Sequence, residues 1–298
     1  MCGIVGLFLK DPKLEPQLGS LLTDMLVTMT DRGPDSAGIA IYGSAAEGLG
    51  KITLQSADPD SDFAGLDEAL KAATGIPVQM VVKSSHAVLE MPKERLAEAR
   101  AALSDLRPGL KVMSSGETIE IFKEVGLPKD VADRFGIAQM SGTHGIGHTR
   151  MATESAVTTM GAHPFSTGAD QCLVHNGSLS NHNSVRRELR RRGMEFETEN
   201  DTEVAAAFIS QKLKDGEKLG AAMEATLTDL DGFFTFVVGT RDGFGVVRDP
   251  IACKPAVMAE TDQYVAFGSE YRALVNLPGI ETARIWEPEP ATVYFWER

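Results

Sequence analysis

Cysteine is scarce in this chain of 298 residues: Cys2, Cys172 and Cys253 are the full set. An odd number without paired spacing argues against a disulfide framework and implies no thiol-ligated metal. It suits a reducing compartment. Basic residues are also outnumbered, 29 against 42 acidic ones, for a net charge of -13. That sign repels phosphate backbones and anionic headgroups, so neither a nucleic acid nor a membrane is expected as partner. No apolar run approaches the roughly 18 residues of a membrane span. The opening "MCGIVGLFLKD" lacks the basic start and the length of a secretory signal, and the cytoplasm is the expected location. A lipid on Cys2 would lack the nearby basic cluster or second signal that makes an anchor. Internal repeats and low-complexity tracts are missing too.

What is present is ordinary globular material, 43% hydrophobic and 24% charged. "CGIVGLFL" reads as a buried strand, and Leu18, Leu21, Leu22, Met25, Leu26 and Met29 recur at helical spacing. The glycine and proline of "TDRGPDSAG" end that helix, and "IAIYG" predicts a second strand returning beside the first. From about Ser44 to Phe135 the texture changes: polar "SADPDSD", a helix, the strand "VQMVVK", then a helix carrying Leu96, Ala99, Leu103 and Leu106. This predicts an inserted small α/β lobe over residues 44–135 of a single domain spanning 1–298.

Beyond it, "THGIGHTRMAT" and "QCLVHNGSLSN" are glycine-punctuated strands running into loops, where binding groups are commonly displayed. Helices are expected over 181–193 and 200–216, each opening at an asparagine and closing at a glycine. "FFTFVVGTRDGFGVV" predicts a hairpin around Asp242 and Gly243, with "YVAFGSE" and "TVYFW" as later strands. Strand blocks flanking helix blocks favour a layered α+β sandwich over a parallel doubly wound sheet.

Several residues could carry chemistry. If Met1 is removed, Cys2 holds a thiol and a free α-amine, a nucleophile and a base on one residue, although an isolated cysteine in an apolar strand is more often simply packed. Asn176 and Gly177 form an Asn-Gly pair whose bland reading is a tight turn. Their functional reading is an oxyanion hole made of a side-chain amide and a backbone amide. Arg150, at a strand end among threonines, is either an ordinary surface arginine or a group suited to grip a carboxylate through two parallel hydrogen bonds. Asp201, in the first turn of a helix, serves either the helix terminus or a substrate ammonium. Together, Arg150 and Asp201 would recognise a free amino acid by its two charged ends. His144 and His148 lie four apart on a strand broken by glycines, a poor metal pair. Basic "RRELRRR" (186–192) is either a solvated helix face or a docking patch. Cys172 and Cys253 sit in apolar contexts and are expected to be inert.

"CGIVG", "RGPDSAG", "GHTR", "HNG", "NDTE" and "RDPIACKP" stand in the order and character of the class II glutamine amidotransferases. The resemblance covers nearly all of the chain outside the lobe. It implies a four-layer αββα N-terminal nucleophile sandwich. It also implies Cys2 as nucleophile, Asn176 and Gly177 as oxyanion hole, Arg150 on the glutamine carboxylate, Asp201 on its α-amine and Thr153 lining the same pocket. The chain departs from that pattern at Met151, where an aromatic residue is common, and at Ala252, where glycine is usual. An α-amine titrating at about 7.7–8.0 can take a proton from a thiol near 8.5 with little penalty, so the physics agrees with these assignments.

The texture of "GHTRMATES", "LVHNGSLSNHN" and "RDPIACKPAV" is most similar to the free-standing amidotransferase subunit of glutamate-synthase-type complexes, N-methylglutamate synthase in particular. By that likeness the chain holds no cofactor itself, and the histidine and cysteine spacings predict no metal. FMN and an iron-sulfur cluster would sit on glutamate-synthase-like partner subunits, which would receive ammonia or methylamine released from glutamine or another γ-glutamyl amide. Two rivals remain, a stand-alone amide hydrolase and, if Met1 is retained, a non-catalytic amino-acid-binding subunit.

Overall fold

The computed structural model describes residues 2–44, 46–152 and 156–298. The chain begins with β1 (Gly3–Leu9), α1 (Leu18–Val27) and β2 (Ser36–Tyr42). It continues through β3 (Leu49–Gln55), α2 (Pro59–Asp62), α3 (Leu66–Thr74), β4 (Gln79–Lys83), β5 (His86–Pro92), α4 (Leu96–Leu106) and β6 (Lys111–Gly116). Then come β7 (Ile119–Val125), α5 (Pro128–Phe135), β8 (His144–Arg150), β9 (Phe165–Gly168) and β10 (Gln171–Leu179). Three helices follow in succession, α6 (His182–Arg191), α7 (Asp201–Lys214) and α8 (Leu219–Asp229). The last strands are β11 (Gly232–Gly239), β12 (Gly243–Arg248), β13 (Val257–Glu260), β14 (Tyr264–Gly268), β15 (Arg284–Trp286) and β16 (Thr292–Glu297).

Strand alternation builds the layers. Along β1, Val5, Leu7 and Leu9 face one way, into a cluster with Leu18, Leu22 and Leu26 of α1 and Phe135 of α5. Ile4 and Phe8 face the other way, into a second cluster with Val174, Val237, Phe244 and Val246 of the opposing sheet. That opposing sheet has the order β16-β12-β11-β10-β9, and its far face is covered by α6, α7 and α8 through Leu189, Val204, Phe208 and Met223. Helices, seven-stranded sheet, five-stranded sheet and helices thus stack as the expected αββα sandwich, of mixed α+β class.

Three expectations change. The seven-stranded sheet runs β15-β13-β14-β1-β8-β2-β7, so β8 separates the two strands that the sequence sets side by side. Val5 and Ile39 both pair with Gly147 of β8. Glycine admits α1 there: a Cβ on Gly147 would lie 2.9 Å from the Leu26 side chain. Second, the lobe is narrower than 44–135. Its own antiparallel sheet, β4-β5-β3-β6, packs on α3 and α4 through Ile52, Leu54, Leu66, Leu70, Leu89 and Leu103, and ends at Gly116. β7 instead pairs with β2, and α5 packs beside α1, because Phe122, Val131 and Phe135 complete the main core. Third, α8 was not anticipated; glycine and alanine make much of its buried face, so its apolar stripe is weak.

Candidate active site

Cys2 is half-buried at the head of β1. Gly3 pairs with Thr149 of β8, and continuing that register by one residue sets Cys2 across from Arg150. The Cys2 carbonyl oxygen accepts two hydrogen bonds, from Arg32 Nε at 3.0 Å and from Asn176 Nδ2 at 3.2 Å. The first donor follows α1 and the second belongs to the other sheet, so the main chain of Cys2 is pinned between layers. Arg32 is nearly buried and pairs with Glu270 at 2.6 Å. Arg32 lies in the motif "RGPDSAG", where the sequence alone assigns it no role. The signal was there: an arginine between a helix end and a strand, which burial forces to find acceptors.

Asn176 and Gly177 lie inside β10, opposite Thr235 and Phe234, so the turn reading of this pair fails. Gly177 has φ of +152°, and a Cβ there would sit 2.0 Å from the Phe233 carbonyl oxygen. Glycine lets β10 run on where any other residue would collide.

Arg150 ends β8, is buried, and donates from Nη1 to the Ala156 carbonyl at 3.3 Å. Asp201 opens α7. The helix cap is Asn200, whose Oδ1 accepts from Thr202 N–H at 2.9 Å, which corrects the capping alternative for Asp201. Asp201 Oδ2 accepts from Leu179 N–H at 2.9 Å, and Oδ1 lies 3.5 Å from His175 Nδ1 and 3.4 Å from the Thr202 hydroxyl. Burial opposes its ionisation, yet the His175 hydrogen bond and charge, the Leu179 amide and His182 outweigh it and hold the carboxyl down at about 2. A carboxylate has about four lone-pair positions, so these contacts still leave room for an ammonium. Arg150 and Asp201 line one cavity of about 540 Å³, together with Met160, Gly161, His182 and Thr198. Thr153 lies outside the described residues.

Behind the cavity, the His148 and His163 rings stack with centroids 4.1 Å apart. Burial lowers His148 to about 3 and holds His163 well below the usual imidazole range, so both are neutral. His163 Nε2 and His175 Nδ1 both meet the Thr202 hydroxyl, at 2.7 and 3.1 Å. His148 Nε2 meets the His175 carbonyl at 3.1 Å, and His144 Nε2 the Thr240 carbonyl at 2.8 Å. The two β8 histidines therefore serve as internal struts, and sequence reasoning missed His175 beside Asp201. The basic run is divided: Arg186 is buried and bonded to Glu199 and the Asn200 carbonyl, while Arg192 pairs with Asp215. Cys172 is buried, and burial pushes its thiol up to about 12. Cys253 is exposed, against the apolar setting expected for it.

Comparison with known proteins agrees with this architecture. The chain matches the glutamine amidotransferase domain over residues 129–293, more than half its length. It is 70% identical over 297 residues to the glutamine amidotransferase-like protein GlxB of Rhizobium meliloti (strain 1021), covering 100% of this chain and 98% of that protein. The chain therefore belongs to the glutamine amidotransferases, and to their class II, N-terminal nucleophile type. It is also 37% identical over 133 residues to the glutamine–fructose-6-phosphate aminotransferase (isomerizing) of Aliivibrio fischeri (strain ATCC 700601 / ES114), covering 45% of this chain and 22% of that one. Among solved structures, the glutamine phosphoribosylpyrophosphate amidotransferase from B. subtilis shares the fold. There the TM-score is 0.63 at 19% identity, over 99% of this chain and 47% of that chain. Among the described residues, no helix is long and apolar enough to cross a membrane.

Proposed function

We propose that this chain is the glutamine-hydrolysing subunit of a glutamate-synthase-like complex, and that it acts through a thioester on Cys2. Removal of Met1 frees the α-amine, which takes the Cys2 thiol proton as sulfur attacks the side-chain amide carbon of glutamine. The Asn176 side chain and the Gly177 amide stabilise the oxygen as it becomes negative. Collapse of the adduct breaks the carbon–nitrogen bond; the leaving nitrogen takes the proton from the α-ammonium and departs as ammonia. Water, deprotonated by the same amine, attacks the thioester and releases glutamate and the thiol. Arg150 holds the α-carboxylate and Asp201 the α-ammonium.

The observation that carries this reading is that a buried arginine and a low-pKa carboxylate line one cavity, at the end of the strand paired with the one Cys2 leads. The near full-length likeness to a protein named glutamine amidotransferase-like supports the reaction class. We propose further that ammonia, or methylamine from a γ-glutamyl amide, passes to partner subunits carrying FMN and an iron-sulfur cluster. The test is Cys2→Ala in the purified complex. It should abolish glutamine-dependent synthesis and spare synthesis from added ammonia. Loss of both would mean that Cys2 has another role.

A further inference from the structure

β7 is the edge strand of the seven-stranded sheet, and two of its consecutive residues, Lys123 and Glu124, leave it on opposite faces. Lys123 is 3% exposed, and its Nζ donates to three carbonyl oxygens: Ala162 at 2.9 Å, Pro164 at 3.3 Å and Met160 at 3.4 Å. An ammonium has three N–H bonds, and each finds an acceptor. The charge also lies 4.5 Å from the centre of the Phe165 ring. On the other face, Glu124 accepts from the Thr159 hydroxyl and from the Val125 N–H at 2.9 Å. Its second oxygen accepts from the Ser85 hydroxyl at 2.8 Å, which comes from the turn between β4 and β5 in the lobe. Gly38, paired with Lys123 across the sheet, makes the close approach feasible, since a Cβ there would lie 2.0 Å from the His163 carbonyl oxygen.

Residues 159–164 therefore straddle the sheet edge, held by an ammonium on one side and a carboxylate on the other. Two of them, Met160 and Gly161, line the Arg150–Asp201 cavity. Burying an ammonium is costly, and burial draws Lys123 down to about 7. A methionine of similar reach would fill the space without that cost but could not hold three carbonyls.

We propose that Lys123 and Glu124 are positioning residues for glutamine: they fix the cavity wall at Met160 and Gly161, and through Ser85 they tie the lobe hairpin to that wall. This rests on the reading of the cavity as the site for the amino-acid end of glutamine. The test compares purified full-length wild type, Lys123→Met, Glu124→Ala, Glu124→Gln and Ser85→Ala by glutamate calorimetry and glutaminase kinetics. Losing hydrogen bonds to a charged group should weaken glutamate binding and raise the glutamine KM by about tenfold or more in Lys123→Met and Glu124→Ala, with kcat within about threefold. Glu124→Gln keeps an acceptor and should lie between wild type and Glu124→Ala. Ser85→Ala, which removes only a part-buried hydroxyl and keeps the protein testable if the others misfold, should shift KM in the same direction by less. Folded variants with wild-type KM and glutamate affinity overturn the proposal alone, as does a fall in kcat at constant KM. A wild-type chain that neither binds glutamate nor hydrolyses glutamine overturns the reading of the cavity with it.

Discussion

Replacing Asp201 by asparagine removes a charge while keeping the shape and one acceptor oxygen. The wild-type carboxyl is held at about 2 against an ordinary 3.8, despite burial, by His175, the Leu179 amide and His182. A shift of that size corresponds to about 2 kcal/mol of folding stability at neutral pH. The side chain is 24% exposed, so solvent screening takes only part of this. The sign follows from the depressed folded value. The contribution is fully present above the unfolded value and disappears as pH falls through the folded one. Urea unfolding of wild type and Asp201→Asn should therefore differ by up to about 2 kcal/mol at pH 7, the gap closing as pH approaches 2. At pH 7 the variant should also bind glutamate about tenfold or more weakly, because a charge-assisted contact to the ammonium is lost. Equal stability at pH 7, or a gap that does not change with pH, would refute the assignment of this charge.

Three further variants separate the roles. Asn176→Ala should lower kcat by about 10²- to 10³-fold while glutamate affinity holds, the signature of a donor used in the transition state. Gly177→Ala places a Cβ 2.0 Å from a backbone oxygen at positive φ. It should cost about 3 kcal/mol or more, read as a fall in melting temperature. Arg32→Met removes a bond to the Cys2 carbonyl and one of the two arginine partners of Glu270, which keeps Arg272 at 2.7 Å. It should lower kcat by about tenfold, leaving glutamate binding intact.

Much of the fold was legible because its signals are local. The apolar run of β1, the stripe of α1 and the asparagine and glycine bracketing α7 each act within a few residues. Strand order was not legible, since nothing in "IAIYG" records that β8, a hundred residues later, comes between it and β1. The Asn176–Gly177 dipeptide shows the converse: its intrinsic turn preference yields to pairing along the whole of β10. Asp201 and Arg150 stood out as charges near element ends. Lys123 did not, because a lysine beside a glutamate in "IEIFKEV" reads as a solvated position until the loop that covers it is known.

The central claim is that Cys2 is both nucleophile and base, and intact-mass analysis of the natively purified protein, before and after a glutamine-analogue electrophile, tests it most directly. The account predicts a chain shortened by one methionine that gains a single adduct, mapped to Cys2 and prevented by glutamate. A retained methionine with no adduct would contradict it, as would a blocked amino terminus in protein that still hydrolyses glutamine at full rate.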